Sequence, residues 1–324
     1  MSLRVLMVGA GAVGATYGYH FARGGARVSY FVRPKYAGEV RSGLTLFRHG
    51  PFGRLSTPRV ERFQPHAVLS TEAEVAERRF DQVWLTMSST ALRGPWLAPF
   101  LAATGDATIF TLQPGLNDYR FLAEQLPTGR LARGLITLIA YQGPLPGERL
   151  PPPGEGIAYV LPPGAPIPLS GPVGPVREAV ETLYAGGCPA VEVEDVAPRG
   201  AVGSGLMPLI AALEISGWSF ERFLGSSWAG TGCAGAREAV TIAAATLGVQ
   251  VPGALSMLRP SLLRAGLWAA PALVPFNLEV YLGYHFDKVG DQTRSMLETF
   301  RAEGQRRGLP VASLSALQQA LPAR

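Results

Sequence analysis

Residues 3–14 read LRVLMVGAGAVG, and residues 15–35 continue ATYGYHFARGGARVSYFVRPK. The run from Leu3 to Gly9 is short, apolar and closed by glycine, the pattern of a strand buried on both faces of a parallel sheet. Gly11 to Gly24 reads as a helix packing through Ala12, Val13, Ala15, Tyr17 and Phe21, and Gly24-Gly25 stops it. Residues 26–32 form a second strand. A helical crossover between two strands makes them parallel neighbours. At the first join stand Gly9, Ala10, Gly11, Ala12, Val13 and Gly14, a GxGxxG pattern. In a chain with 39 glycines the pattern alone means little. Its place, directly after a strand and opening a helix, is what distinguishes a dinucleotide site from an ordinary glycine-rich turn. Gly9 permits the tight turn, Gly11 lets backbone approach a pyrophosphate, and Gly14 lets the helix pack on the strand. The unpaired N–H groups at the helix N-terminus then face the anion.

The end of the second strand selects among dinucleotides. An NAD site closes this strand with an acid that holds the ribose 2′-hydroxyl. Here the strand ends Phe31-Val32-Arg33-Pro34-Lys35, and the next acid is Glu39. Arg33 suits a 2′-phosphate because a planar guanidinium grips it bidentately, and Lys35 adds charge. The expected cofactor is therefore NADP(H).

Strand and helix signals continue to alternate. Residues 79–87, 107–112 and 132–140 read as strands. Residues 90–102, 117–126 and 175–184 read as helices. Residues 143–174 are dense in Pro and Gly around the island IAYVL, which reads as a strand between turns, and residues 190–194 look like a last strand. After Arg199 strand signals fade, and helices are expected at 201–217, 234–248, 254–264, 276–303 and 312–320. The fold class is α/β, a Rossmann-type doubly wound parallel sheet followed by an all-helical C-terminal domain. The domains are expected at 1–195, binding NADP, and 196–324, serving substrate and dimerisation. Ligand is expected between them, at the carboxyl ends of the strands.

Composition narrows the function classes. The chain has 324 residues, 47% of them hydrophobic and only 16% charged. A large core follows, and the sparse charge points to a homodimer. The net charge of +5 comes mostly from arginine, which reflects either coding composition or attraction for an anionic cofactor. No basic run is dense enough for nucleic acid. The apolar stretch 265–284 carries Pro271, Pro275, Asn277 and Glu279, which argues against a membrane span. Cys188 and Cys233 form neither a CxxC pair nor a metal-ligand cluster. With no signal peptide before the first strand, the expected location is the cytoplasm.

Further along, Leu112-Gln113-Pro114-Gly115-Leu116-Asn117 follows a strand, and Arg199-Gly200-Ala201-Val202-Gly203-Ser204-Gly205-Leu206-Met207-Pro208-Leu209 opens the helical half. With the N-terminal GxGxxG and Arg33, these segments make the chain resemble the ketopantoate reductase (2-dehydropantoate 2-reductase) family over essentially its whole length. The resemblance implies NADPH-dependent reduction of a 2-keto acid to a 2-hydroxy acid. A lysine would donate the proton, asparagines would orient substrate, and a late carboxylate would assist.

The sequence departs from the family pattern at the reacting end. The catalytic lysine falls on Arg199, the substrate asparagines on Gly203 and Met207, the loop asparagine on Pro114, and a cofactor-proximal lysine on Ser88. Arginine binds a carboxylate or an oxyanion but is a poor proton donor. Replacements are sought in the polar run Tyr284–Arg294. On one helix His285, Lys288 and Gln292 share a face, with Lys288 lowered in pKa by burial or His285 titrating near neutrality. The competing reading is a solvated, ion-paired face. Gln113 binds ligand or braces a strand end. Glu214 is a core pair or a substrate contact. His20, His49 and His66 are read as structural or exposed. The expected reaction is reduction of a small 2-keto acid or related carbonyl other than ketopantoate. The alternatives are a cofactor-binding relative without reductase activity, and a dehydrogenase working on a hydroxy acid.

Overall fold

The computed structural model describes residues 2–50, 57–151, 154–250, 253 and 258–323. The chain divides into two compact units, one running to Val196 and the other from Ala197 onward. The short segment Pro114–Leu116 belongs to the second unit, so the division is not a single cut in the sequence.

The first unit runs β1 (Arg4–Val8), α1 (Ala12–Arg23), β2 (Arg27–Phe31), α2 (Pro34–Arg41), β3 (Leu44–Arg48), β4 (Arg59–Phe63), β5 (Ala67–Leu69), α3 (Glu72–Ala76) and β6 (Gln82–Leu85). It continues with α4 (Leu97–Ala103), β7 (Thr108–Thr111), α5 (Asp118–Ala123), β8 (Leu131–Gly134), β9 (Ile139–Gly143), β10 (Gly156–Val160), β11 (Ile167–Ser170), α6 (Val173–Ala185) and β12 (Ala190–Glu192). Eight strands form the main sheet in the order β12-β11-β8-β7-β6-β1-β2-β5. Every pairing in it is parallel except β11 with β8. From β1 the chain winds outward through β2 to β5, then returns to β6 on the other side, so the winding reverses at β1. In such sheets ligands bind outside the strand ends at the reversal. Val8 lies opposite both Phe31 and Leu85, and Leu85 opposite Thr111. This register brings Gly9, Val32, Thr86 and Leu112 to one edge of the sheet.

Side-chain alternation divides the core. Val5, Met7, Trp84 and Phe110 point to one face with α1, while Leu6, Val8, Val83, Leu85 and Ile109 point to the other with α4. A second sheet, β4-β3-β10-β9, lies over α1 on the far side from β1. It joins the antiparallel pairs β3–β4 and β9–β10 through a parallel β3–β10 pairing. Gly14 through Phe21 are accordingly all buried, and α1 is covered all round.

The mixed α/β fold with a parallel-dominated sheet and a helical C-terminal part is as expected, but several elements are not. The sequence reading assigns no strand at β3, β4, β5 or β11. The single strand expected at 132–140 is two strands in different sheets, β8 and β9.

The second unit is helical: α7 (Ala197–Gly203), α8 (Leu206–Ile215), α9 (Phe220–Gly225), α10 (Trp228–Leu247), α11 (Pro260–Leu273), α12 (Leu278–Lys288), α13 (Gly290–Arg306) and α14 (Ala312–Ala320). Its core gathers Met207, Ile210, Ala243, Leu297, Phe300 and Leu317, together with Leu116. The helix expected at 201–217 is divided between α7 and α8. The one expected at 254–264 corresponds to α11, with residues 254–257 outside the described residues. The long helix expected at 276–303 breaks at Val289 into α12 and α13. Val289 is β-branched and Gly290 follows it, both poor helix formers, so a bend there sacrifices little helix propensity. No described helix is long and apolar enough to cross a membrane.

Candidate functional site

The turn after β1 is fixed by backbone. Gly9 has φ +97°, a conformation that side-chain-bearing residues rarely adopt. Its N–H donates to the Phe31 carbonyl at 3.0 Å, and the Thr86 N–H donates to the Val8 carbonyl at 3.1 Å, so both neighbouring strands hold the turn. The Thr86 hydroxyl adds a bond into the same place, 2.9 Å from the Val8 carbonyl oxygen and 3.1 Å from that of Gly9. A Cβ on Gly14 would stand 2.2 Å from the Gly9 carbonyl oxygen and 2.5 Å from Thr86 Oγ1. The strand, the helix and Thr86 therefore meet where only hydrogen fits.

Gly11 differs. Its φ of −67° suits any residue, and beyond its two chain neighbours a Cβ there would meet nothing within 4 Å. Packing does not call for this glycine; an external group lying against the turn would. Gly11 is the N-cap of α1, no side chain caps the helix, and its first turn holds no acid. An anion placed there meets N–H groups and a positive helix end. Ala10, Ala12 and Val13 complete the turn and pack against the core.

Arg33 is exposed at the N-cap of α2, and Pro34 starts the helix. The Arg33 guanidinium lies over the Tyr36 ring, 5.0 Å from its centre, and donates to Tyr36 Oη at 3.2 Å. Lys35 Nζ lies 4.8 Å from the centre of the same ring. Ser88 is half-buried, its hydroxyl 3.0 Å from that of Thr90. The Gln113 amide donates to the carbonyls of Leu85 at 3.0 Å and Met87 at 2.9 Å, and its Oε1 accepts from the Thr111 hydroxyl at 2.6 Å. That amide has two hydrogens and uses both on backbone. Gln113 thus braces the ends of β6 and β7, leaving only spare lone-pair capacity on Oε1 for a ligand. Thr86 and Tyr36 escape sequence reading. The motif names only glycines, and a lone tyrosine in a helix carries no signal of its neighbours.

At the other end of α1, His20 is fully buried. Its Nδ1 is 2.9 Å from the Gly186 carbonyl, and its Nε2 has no hydrogen-bond partner among the described residues. The carbonyl only accepts, so Nδ1 carries the proton. Burial pushes the imidazole down to about 4, the dominant cause being loss of hydration. Both cysteines are free and buried, and burial raises the Cys188 thiol to about 12, which leaves it unreactive.

In the second unit Arg199 is exposed on α7. Met207 is buried in the helical core, so its side chain serves packing. Glu214 is a core pair: Arg294 grips its carboxylate at 2.9 and 3.4 Å. Two expectations for the polar run need correction. Gln292 belongs to α13, beyond the break at Val289, so it does not continue the face of His285 and Lys288 along one helix. Lys288 is exposed rather than buried, because it is the last residue of α12. Its Nζ donates to Tyr284 Oη at 2.7 Å and lies 3.9 Å from that ring's centre. His285 stacks on Tyr281 and meets Phe286 edge-on, and burial lowers its pKa, with Lys288 adding to the effect.

Residues 5–148 match the family model described as Ketopantoate reductase PanE/ApbA. No curated protein matches the chain. Among solved structures, the PanE/ApbA family ketopantoate reductase of Ralstonia eutropha JMP134 is 18% identical with a TM-score of 0.71, covering 98% of this chain and 96% of that one. The 2-dehydropantoate 2-reductase of Methylococcus capsulatus is 17% identical with a TM-score of 0.70, covering 98% and 95%. D-mandelate dehydrogenase, solved with NADH, is 13% identical with a TM-score of 0.68, covering 98% and 97%. These likenesses establish the fold, and the family resemblance drawn from the sequence holds.

Proposed function

We propose that this chain is an NADPH-dependent oxidoreductase that reduces a small 2-keto acid or related carbonyl other than ketopantoate. The observation that carries the reading is the turn Gly9–Gly14. It packs as a dinucleotide-binding turn packs, and it leaves above Gly11 a space that the protein itself does not need. The residues present fit the cofactor: N–H groups of the α1 N-terminus for the pyrophosphate, and Arg33 with Lys35 for the 2′-phosphate. D-mandelate dehydrogenase has been solved with NADH and with anilino(oxo)acetate, so the fold accommodates that cofactor and a 2-oxo acid derivative in a relative. The choice of NADP(H) here rests on Arg33 standing where an acid would hold a free ribose hydroxyl.

When bound, the nicotinamide supplies the hydride. The chain's residues do the rest. The glycine turn holds the pyrophosphate, while Thr86 and Gln113 keep the strand ends beneath it in register. Arg199, a cation with no proton to spare, anchors the substrate carboxylate. The oxygen of a carbonyl reduced there would take its proton from Lys288 Nζ. His285 is the weaker donor, because burial favours its neutral form near pH 7.

The test is a turnover assay with NADPH against a panel of 2-keto acids. NADPH oxidation with at least one of them supports the reading. Tight NADPH binding with no turnover of any carbonyl selects a second one, a cofactor-binding relative without reductase activity. The burial of Met207 favours that alternative, since a packing residue stands where the resembled family orients substrate.

A further inference from the structure

Some arginines of this chain meet carboxylates, as Arg4 does Asp81 and Arg294 does Glu214, and others lie singly over a ring, as Arg23 does over Tyr19 and Arg133 over Tyr119. Arg33 and Lys35 share one ring. Both cations lie within 5.0 Å of the centre of Tyr36, and among the described residues neither is paired with a carboxylate. Two cations held on one exposed turn both attract an anion placed between them. The same turn is also held rigidly. Pro34 fixes the backbone at the start of α2. The Tyr36 N–H donates to the Arg33 carbonyl at 2.9 Å, and the Arg33 guanidinium donates back to the Tyr36 hydroxyl. An exposed arginine otherwise loses much rotamer freedom on gripping a phosphate.

We infer that Tyr36 is the residue that sets this chain's preference for a 2′-phosphorylated nucleotide, by holding the Arg33 guanidinium and the Lys35 ammonium over one ring as a ready-made phosphate clamp. The inference rests on the NADP(H) reading above. Tyr36 need not touch the nucleotide; it acts through the two cations and is a positioning residue. It is itself exposed, so replacing it leaves the core intact.

The test is calorimetric binding of two probes, adenosine 2′,5′-bisphosphate and adenosine 5′-monophosphate, to the full chain and to its Tyr36→Leu and Tyr36→Phe variants. The wild type is expected to bind the bisphosphate more tightly. Losing one hydrogen bond and two ring contacts, Tyr36→Leu should weaken the bisphosphate about tenfold and leave the monophosphate unchanged. Tyr36→Phe keeps the ring and should recover part of that loss. If Tyr36→Leu keeps the wild-type preference, or weakens both probes equally, the inference is overturned while the cofactor reading stands. If the wild type itself shows no preference for the bisphosphate, the cofactor reading fails and the inference falls with it.

Discussion

The glycine turn near the start of the chain and the polar run Tyr284–Arg294 near its end are equally conspicuous in the sequence, but they fold into opposite kinds of place. In the turn, position is set by backbone. Gly9 takes a conformation few residues can take, and Gly14 touches a carbonyl oxygen and a threonine hydroxyl. In the run, position is set by surroundings. A helix breaks at Val289, Lys288 ends up exposed against Tyr284, and Arg294 is drawn inward to Glu214. A motif made of backbone constraints carries its geometry with it. A cluster of polar side chains does not, because the same residues serve a surface, a core pair or a site depending on what packs beside them.

The largest effect that could break this contrast is expected at Gly14. Gly14→Ala drives a methyl group into backbone and should lower stability in urea by about 3 kcal/mol or more. A variant as stable as the wild type would mean that the turn yields easily. The next effect lies at the opposite end of α1. His20 titrates at about 4 when folded against 6.5 in the open chain, so between these values the unfolded chain holds more protons. The neutral form's stabilisation is complete above pH 6.5 and is lost as pH falls toward 4, a change of about 3 kcal/mol that urea midpoints at several pH values would trace. His20→Phe should flatten that dependence. In the polar run, Lys288→Ala should slow keto-acid turnover about 100-fold with NADPH affinity unchanged. Full activity would remove Lys288 from the chemistry and return the run to the surface. The smallest effect sharpens the contrast within the turn itself. Gly11→Ala should leave stability within about 0.5 kcal/mol of wild type, yet weaken NADPH about tenfold in a calorimetric titration.

What the sequence discloses follows the same division. β1, α1 and β2 are legible because an apolar run, a glycine pattern and a second apolar run leave one arrangement open. β3 and β4 are not, since LTLFR and RVERF mix charge into short strands, and β3 is tied into its sheet through β10, far along the chain. The split of residues 132–140 is equally hidden. Arg133 and Ile139 look like parts of one strand until their partners, β7 for one and β10 for the other, are known. Arg33 is legible by the absence of an acid. Its hold on Tyr36 is not, because it depends on how the first turn of α2 presents both side chains.

The burial of α1 on every side has a consequence for how the protein is made. The helix that bears the glycine turn leaves a ribosome well before part of its cover does. β9, β10 and α6 close over it only after residue 185 is joined to the chain. At ordinary rates of synthesis that leaves its outer face bare for on the order of ten seconds. The side of α1 that bears His20, whose ring meets Tyr159 of β10 edge-on and whose Nδ1 donates to the Gly186 carbonyl, is then uncovered, and the nascent chain is most open to aggregation, or to capture by a chaperone, while its best-defined motif is already complete.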